Sequence, residues 1–459
     1  MTVIHQVYHH SRGDFFVKLF TIALPITLQT LLFASKGLVD MLMMGQLGET
    51  DIAAVGVASR ALFVATIFIG GITAGGALLT AQYWGAKNAD GVRESVALAW
   101  VAAFVSGFIV IGVFGLLPQN IMGLASTDAA VIALGSDYLM ITGFSMLSLA
   151  YISSSAAGLR SMHQPMVSTF FSGLGIGLNI LLNWVLIFGY MGFPSMGVKG
   201  AAIGTVLASL IEAAALFLFL RYKQHLLSFS FNDVRSALRL DKIRRFLALS
   251  LPTTFNFLAW AGGLFAYTAI MGATGSEGLV AYSVMTPIES VSLSLLVGLA
   301  NASAVLVGNQ LGAKNYDAVY YQAMALVAVA IVVTALVSLM MYWLKTPILN
   351  LFTALTPETR DLTEIFFVIL CFGNILRSLP TTLVVGVLRA GGDVKFCLYQ
   401  DMLTQWFFGI PLAAIGAVLL GFPPQWVFAM FFLETLFKWV ACTYRLRSKK
   451  WIKNLVDHE

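Results

Sequence analysis

The sequence predicts an all-α polytopic membrane protein with twelve transmembrane helices, arranged as two homologous six-helix bundles around a central cleft. Of its 459 residues, 59% are hydrophobic and only 11% are charged, whereas soluble domains carry about 25% charged residues. Runs of about 20 apolar residues, the length that crosses a bilayer, recur twelve times. The second half of the chain also repeats the pattern of the first.

The twelve apolar runs divide equally between the two halves of the chain. They lie near residues 16–44, 52–83, 95–117, 130–157, 166–190, 199–220, 246–272, 279–310, 319–344, 362–388, 396–420 and 425–444. A soluble enzyme could not cover so much apolar surface, and a net charge of +5 is too small to indicate a nucleic-acid partner. Because no A-x-A-type cleavage site follows the first run, we expect it to be retained as a span.

Basic residues indicate which side of the membrane each loop occupies. Because the number of spans is even, both termini and the loop after span 6 share one side. Twenty lysines and arginines fall on that side, against only Lys199, Lys345 and Arg360 on the other. Basic loops are retained in the cytoplasm, so we expect both termini to be cytoplasmic.

The two halves of the chain are related by a repeat at an offset of 227 residues. Pro25 matches Pro252, and the segment Gly-Ala-Lys-Asn at 85–88 matches the same four residues at 312–315. Two parallel repeats that enclose a cleft favour alternating access, and therefore a transporter. The predicted parts are an N-terminal six-helix lobe over 1–220, a basic cytoplasmic linker loop over 221–245 and a C-terminal six-helix lobe over 246–459.

Ionisable side chains inside a span are rare and indicate function. On span 1, Gln29, Lys36 and Asp40 are separated by seven and four residues and lie on one face of the helix. Asp40 follows Pro25 by 15 residues, about 22 Å along a helix, which places it in the outer half of the span. Because proline lets a helix bend, a carboxylate that changes protonation here could act as a switch. The alternative is an inert ion pair between Lys36 and Asp40.

Spans 4 and 5 offer side chains that could respond to protonation of Asp40. Asn179 and Asn183 are four residues apart on one face of span 5, and Tyr138 lies near the outer start of span 4. Carboxamides donate to an ionised carboxylate and accept from a protonated one. Both asparagines could equally tie helices together.

The repeat provides an internal comparison for these residues. At the offset of 227 residues Asp40 becomes Tyr267, so the second half has no counterpart of the carboxylate. Residues that only tie helices together should recur in both bundles, which favours a function for the first-half set. Tyr267 and Glu289 of the second half are candidates to line a substrate cleft with Gln29 and Lys36 of the first.

Motifs that mark ATP-dependent or hydrolytic chemistry are absent from the sequence. It contains no Walker A segment, no H-E-x-x-H and no G-x-S-x-G. We therefore expect no enzyme activity, no metal site and no organic cofactor.

Together these residues resemble the multidrug and toxic compound extrusion (MATE) family. The shared features are two six-span repeats, Pro25 and Asp40 on span 1, and the matching Gly-Ala-Lys-Asn segments. The set of Asp40, Asn179 and Asn183 is similar to the DinF-like bacterial branch, most closely the VcmN type. Asn183 stands where some relatives carry a second aspartate, and this difference favours H+ over Na+ as the coupling ion.

The resemblance implies that a monomer in the bacterial inner membrane exports cationic or amphipathic compounds in exchange for inward H+ or Na+. It also implies that Asp40 is the coupling residue and that Asn179 and Tyr138 are its partners. In the predicted cycle, protonation of Asp40 bends span 1 near Pro25 and expels the substrate. The substrates themselves are not predicted beyond this class.

Two other functions remain open from the sequence. One is a lipid-linked saccharide flippase of the same superfamily, which would need a cationic cleft for a pyrophosphate, with Lys36, Arg60 and Arg377 as its only candidates. The other is an unrelated membrane enzyme or receptor.

Overall fold

A computed structural model describes residues 3–44, 46–352 and 356–456 and is helical, without a strand in these ranges. The outermost residues of the two predicted lobes, 1–2 and 457–459, lie outside the described residues. Eleven helices are long and apolar enough to cross a membrane, and a bent pair makes twelve, as predicted. The spans are Phe15–Met44, Glu49–Gly85, Ala89–Leu116, Ala129–Thr142 with Ser145–Ser161, Pro165–Phe188, Gly197–Tyr222, Leu240–Ala273, Ser276–Gly312, Tyr316–Trp343, Pro357–Leu388, Val394–Leu419 and Pro424–Arg447.

Span 4 differs from the single run that the sequence predicts. It bends by 47° between Thr142 and Ser145. The Thr142 hydroxyl donates to the Tyr138 carbonyl at 2.6 Å, and the Ser145 hydroxyl donates to the Thr142 carbonyl at 2.7 Å. Hydroxyls that bond back to the helix backbone, next to the flexible Gly143, are a known cause of helix bending.

Spans 10 and 11 contain π-helical stretches. They lie at Thr382–Leu388, Met402–Gly409 and Ile415–Leu419. Pro380 precedes the first stretch, and Pro411 follows the second. Because proline cannot donate the regular backbone hydrogen bond, the helix widens locally beside it.

The chain forms two compact units. The first-half unit is Leu28–Thr254, and the second-half unit is Phe255–Glu459 together with Met1–Thr27. The unit boundaries therefore fall inside spans 1 and 7, two residues after Pro25 and Pro252. The lobe boundaries at 220 and 245, which describe the repeat in the sequence, stay a prediction; the packing of the chain divides it at different residues.

Two glycine contacts explain why the unit boundaries fall inside helices. In the second-half unit, a methyl group on Gly298 of span 8 would overlap Thr27 of span 1. In the first-half unit, a methyl group on Gly71 of span 2 would overlap the backbone of Thr254 of span 7. The offset of 227 residues relates both the two glycines and the two threonines. The repeat thus recurs in the packing, since small residues let helices approach closely in membranes.

The connecting loop after span 6 packs on the first-half unit. Its short helix, Phe231–Ala237, precedes span 7. The Ser236 hydroxyl donates to Glu94 of span 3 at 2.8 Å, and Lys242 donates to the same carboxylate.

Candidate functional site

Polar side chains of spans 1 and 5 form a continuous seam in the first-half unit. Gln29 Nε2 donates to Ser172 Oγ at 2.8 Å, and Asn183 Nδ2 donates to Asp40 Oδ1 at 3.0 Å. Both pairs are separated by 143 residues, as expected of two helices that run in the same direction. We call Gln29, Lys36, Asp40, Ser172, Asn179 and Asn183 the polar seam.

The second oxygen of Asp40 is paired with a cation. Lys36 Nζ lies 3.2 Å from Asp40 Oδ2, one helical turn away, and the two side chains are 26% and 28% exposed. The ion pair that the sequence left open is therefore present. Asp40 therefore accepts one amide hydrogen bond and pairs with one ammonium group.

The asparagines extend the seam to spans 4 and 6. Asn183 and Asn179 are buried, and Asn183 Nδ2 also lies 3.4 Å from Asn179 Oδ1. Asn179 Nδ2 donates to Thr205 Oγ1 of span 6 at 3.1 Å. The buried phenol of Tyr138 also interacts with the Thr205 hydroxyl and lies within electrostatic range of Asp40. The four predicted coupling residues thus lie in one network, in which Thr205 joins Tyr138 to Asn179.

One polar atom of this network is unused. Asn183 Oδ1 is buried and accepts no hydrogen bond from any residue that the structure describes. A methyl group on Gly204 of span 6 would overlap this oxygen, so the two helices approach closely here. Buried amide oxygens usually have a donor, and this atom is therefore available to a hydrogen-bond donor.

A second carboxylate lies at the other end of the polar seam. Glu212 of span 6 hydrogen-bonds to Ser172 and interacts electrostatically with Lys36. Its carboxylate fills the notch left by Gly175, where a methyl group would overlap it. Glu212 is thereby linked through Ser172 to Gln29 of span 1.

In the second-half unit, Tyr267 belongs to a different network. Its hydroxyl donates to Glu434 Oε2 at 2.5 Å. Lys438 bridges Glu434 and Asp401, at 3.1 Å and 3.2 Å. Asn256 of span 7 donates to Asp401 at 2.8 Å. Tyr267, which stands at the position equivalent to Asp40, is thus a hydrogen-bond donor to a carboxylate of span 12.

The remaining candidates are Glu289 and Pro25. Glu289 forms an ion pair with Arg377 of span 10, whose guanidinium also lies 4.4 Å from the centre of the Phe432 ring. Pro25 lies in an unbroken helix, Phe15–Met44. Its role as a bending point, and the cleft position of Gln29, Lys36, Tyr267 and Glu289, stay predictions.

Comparison with known proteins identifies the family. The chain matches the MatE family over residues 25–185 and 252–415. It belongs to the MatE family. Members of this family are transporters, so the chain is a multi-pass membrane transporter and not an enzyme.

Several MatE relatives match nearly the whole chain. The uncharacterized transporter YisQ of Bacillus subtilis (strain 168) is 26% identical over 448 residues, 95% of each chain. The probable multidrug resistance protein YoeA of the same organism is 24% identical and covers 85% of this chain and 84% of its own length. The probable multidrug resistance protein NorM of Bacillus cereus (strain ATCC 10987 / NRS 248) is 24% identical over 86% of both chains.

Solved structures show the same fold. A crystal structure of MATE in complex with MaL6 superposes with a TM-score of 0.86 at 16% identity, over 98% of this chain and 99% of that chain. A MOP superfamily transporter from Pyrococcus furiosus gives a TM-score of 0.85 at 16% identity over the same shares. The assignment to the VcmN type within the MatE family stays a prediction.

Two polar residues of this MatE protein, Ser172 and Thr205, and one ion pair, Asp401 with Lys438, were missed in the sequence. Spacing could have found the first two. Ser172 and Asn179 are seven residues apart on span 5, and Thr205 and Glu212 are seven apart on span 6. Two antiparallel helices with equal polar spacing can pair both positions.

No group of three or more His, Cys, Asp or Glu side chains that could hold a metal occurs among the described residues.

Proposed function

We propose that this MatE transporter exports cationic or amphipathic compounds in exchange for inward H+, with Asp40 as the coupling residue. The relatives YoeA and NorM are named as probable multidrug resistance proteins, which supports this substrate class.

The observation that carries the proposal is the set of partners around Asp40. When ionised, the carboxylate accepts from Asn183 and pairs with Lys36. When protonated, the Asp40 carboxyl group becomes a donor and needs an acceptor. Asn183 Oδ1, which has no donor among the described residues, can become that acceptor once the side-chain amide rotates about its Cβ–Cγ bond. Asn183 can therefore form a hydrogen bond with either protonation state of Asp40 without separation of spans 1 and 5.

Span 1 is the element through which this change would act on the rest of the molecule. Loss of charge on Asp40 releases Lys36, four residues away on the same face. The helix also contains Pro25, where one backbone hydrogen bond is missing and bending is easiest. We propose that rearrangement of the polar seam bends span 1 near Pro25 and closes the space in which the substrate lies.

Cation pairing supports efflux over a saccharide flippase. Of the three cations that a pyrophosphate cleft would need, Lys36 is paired with Asp40 and Arg377 with Glu289. Arg60 alone is exposed without a carboxylate partner among the described residues. A single guanidinium is a poor match for a pyrophosphate with several negative charges.

The experiment that tests the proposed function is transport of ethidium into or out of proteoliposomes under separately imposed H+ and Na+ gradients. We expect an H+ gradient alone to drive exchange and a Na+ gradient alone to fail. Asp40→Asn should abolish H+-driven exchange, while Asp90→Asn, at a carboxylate with 82% exposure, should leave it unchanged. Exchange driven by Na+ alone, or normal H+-driven exchange by Asp40→Asn, would contradict the proposal.

A further inference from the structure

Three ionisable side chains lie together inside spans 1 and 6 of the first-half unit. They are Lys36 and Asp40, which form an ion pair, and Glu212, whose carboxylate lies at Gly175 of span 5, within electrostatic range of Lys36. With all three ionised, the group would carry one unbalanced negative charge inside the membrane. Uncompensated charge in this environment is costly, so a neutral group of three is strongly favoured.

Neutrality requires one proton on the two carboxylates. Either Glu212 is protonated and Asp40 pairs with Lys36, or Asp40 is protonated and Lys36 pairs with Glu212. Each arrangement holds one ammonium, one carboxylate and one carboxylic acid. We propose that Asp40 and Glu212 share a single proton, and that Lys36 pairs with whichever of the two is ionised. This inference rests on the proposed function for Asp40 and adds Glu212 as a second carrier of the coupling proton.

The two carboxylates occupy different depths in the membrane. Glu212 is bonded to Ser172, which pairs with Gln29, whereas Asp40 pairs with Asn183. Gln29 precedes Asp40 by 11 residues, which corresponds to about 16 Å along the helix. Because span 1 enters from the side rich in basic residues, Glu212 lies nearer that side. A proton taken up by Asp40 and released from Glu212 therefore moves towards the basic side.

One transfer leaves the total number of protons on the two carboxylates unchanged. A proton from water binds Asp40 and breaks its ion pair with Lys36, and Glu212 gives up its own proton to water. The Lys36 ammonium, which keeps all of its protons, then pairs with the Glu212 carboxylate. Tyr138 is a further titratable group within electrostatic range of Asp40, and span 5, Pro165–Phe188, carries no charged side chain.

Neighbouring residues hold Glu212 in place for this role. Its carboxylate lies in the notch at Gly175 and hydrogen-bonds to Ser172. The half-buried Lys36 has a long flexible side chain that can reach towards either end of the seam.

Infrared difference spectroscopy on the purified full-length protein tests the shared proton without any substrate. Protonated carboxyl groups have a distinct C=O absorption that shifts in D2O. We expect Asp40→Asn and Glu212→Gln each to remove the same single carboxyl band near neutral pH, because the remaining carboxylate then pairs permanently with Lys36. Lys36→Met should instead double the band, since neutrality then requires both carboxylates to be protonated.

A matched control and a second variant keep the test decisive. Glu358→Gln changes an exposed glutamate at the start of span 10 and should leave the band unchanged. If Glu212→Gln does not fold, Gly175→Ala, which displaces the Glu212 carboxylate, should remove or shift the band in its place. A band lost in only one of Asp40→Asn and Glu212→Gln would show independent protonation and overturn the inference.

Transport separates this inference from the proposed function. We expect Glu212→Gln to reduce H+-driven ethidium exchange at least tenfold while ethidium binding persists. If Asp40→Asn abolishes exchange and Glu212→Gln exchanges normally, the shared proton is wrong and the role of Asp40 stands. If Asp40→Asn exchanges normally while both variants lose the carboxyl band, the coupling role fails and the shared proton stands.

Discussion

In the proposed mechanism, Asn183 can partner both protonation states of Asp40 because a carboxamide carries both a donor and an acceptor. Its Nδ2 is engaged with Asp40 and Asn179, while its Oδ1 is buried without a donor among the described residues. The sequence marked this residue as a partner of Asp40 by spacing alone. The orientation of its amide, which determines what it can do, comes from the structure.

Replacing Asn183 by leucine tests this role at nearly constant volume. A hydrogen bond to a charged group contributes about 1.5–3 kcal/mol, so we expect Asn183→Leu to lower H+-driven ethidium exchange by about tenfold or more. The control is Asn301→Leu, because among the described residues the Asn301 side chain bonds only to the Val297 carbonyl of its own helix, at 2.9 Å. Equal losses in both variants would indicate a general packing effect.

Among the elements, the short helix Phe231–Ala237 depends on its first turn. The Ser230 amide donates to the Asp233 carboxylate at 2.6 Å, and the Ser230 hydroxyl caps the Asp233 amide at 3.4 Å. The backbone hydrogen bond from Ser230 lowers the pKa of Asp233. A lowered pKa in the folded state means that the stabilisation is complete above the unfolded value, about 3.9, and is lost as the pH falls below it.

Asp233→Asn should reproduce the low-pH state at neutral pH. We expect faster hydrogen–deuterium exchange of the amides of 231–237 in this variant, measured by mass spectrometry, because the capping box is broken. Asp241→Asn is the control, since Asp241 is 66% exposed and its one ion pair within the described part of the chain is with Arg239. Unchanged exchange in Asp233→Asn would show that the helix is held by its packing instead of its cap.

At the scale of the whole molecule, the repeat is visible in the packing of spans 1 and 7. Thr27 packs against Gly298, and Thr254 packs against Gly71, at positions that correspond in the two halves. We expect Gly71→Ala and Gly298→Ala each to lower the free energy of unfolding by about 1–3 kcal/mol, because the added methyl overlaps a neighbouring helix. Thermal unfolding in detergent measures this. Gly70→Ala, with no atom within 4 Å of the new methyl, should be neutral.

The orientation of the molecule in the membrane is a second prediction at this scale. The basic loops predict that the connecting loop and both termini are cytoplasmic. Asn232→Cys should therefore react with a membrane-impermeant maleimide only in inverted vesicles, and Thr127→Cys only in intact cells. The native cysteines are buried and should not interfere. Reaction of Asn232→Cys in intact cells would reverse the predicted topology.

The sequence by itself determined the twelve spans, the basic side and the repeat, because hydropathy and charge act locally along the chain. Helical spacing placed Asn179 and Asn183 on one face of span 5, and in the structure Asn183 contacts both Asp40 and Asn179. Only the tertiary structure decided that Thr205 and Glu212 complete the site and that Tyr267 serves Glu434. In a membrane the lipid-facing and the packed surfaces of a helix are both apolar, so composition leaves helix rotation and pairing undetermined.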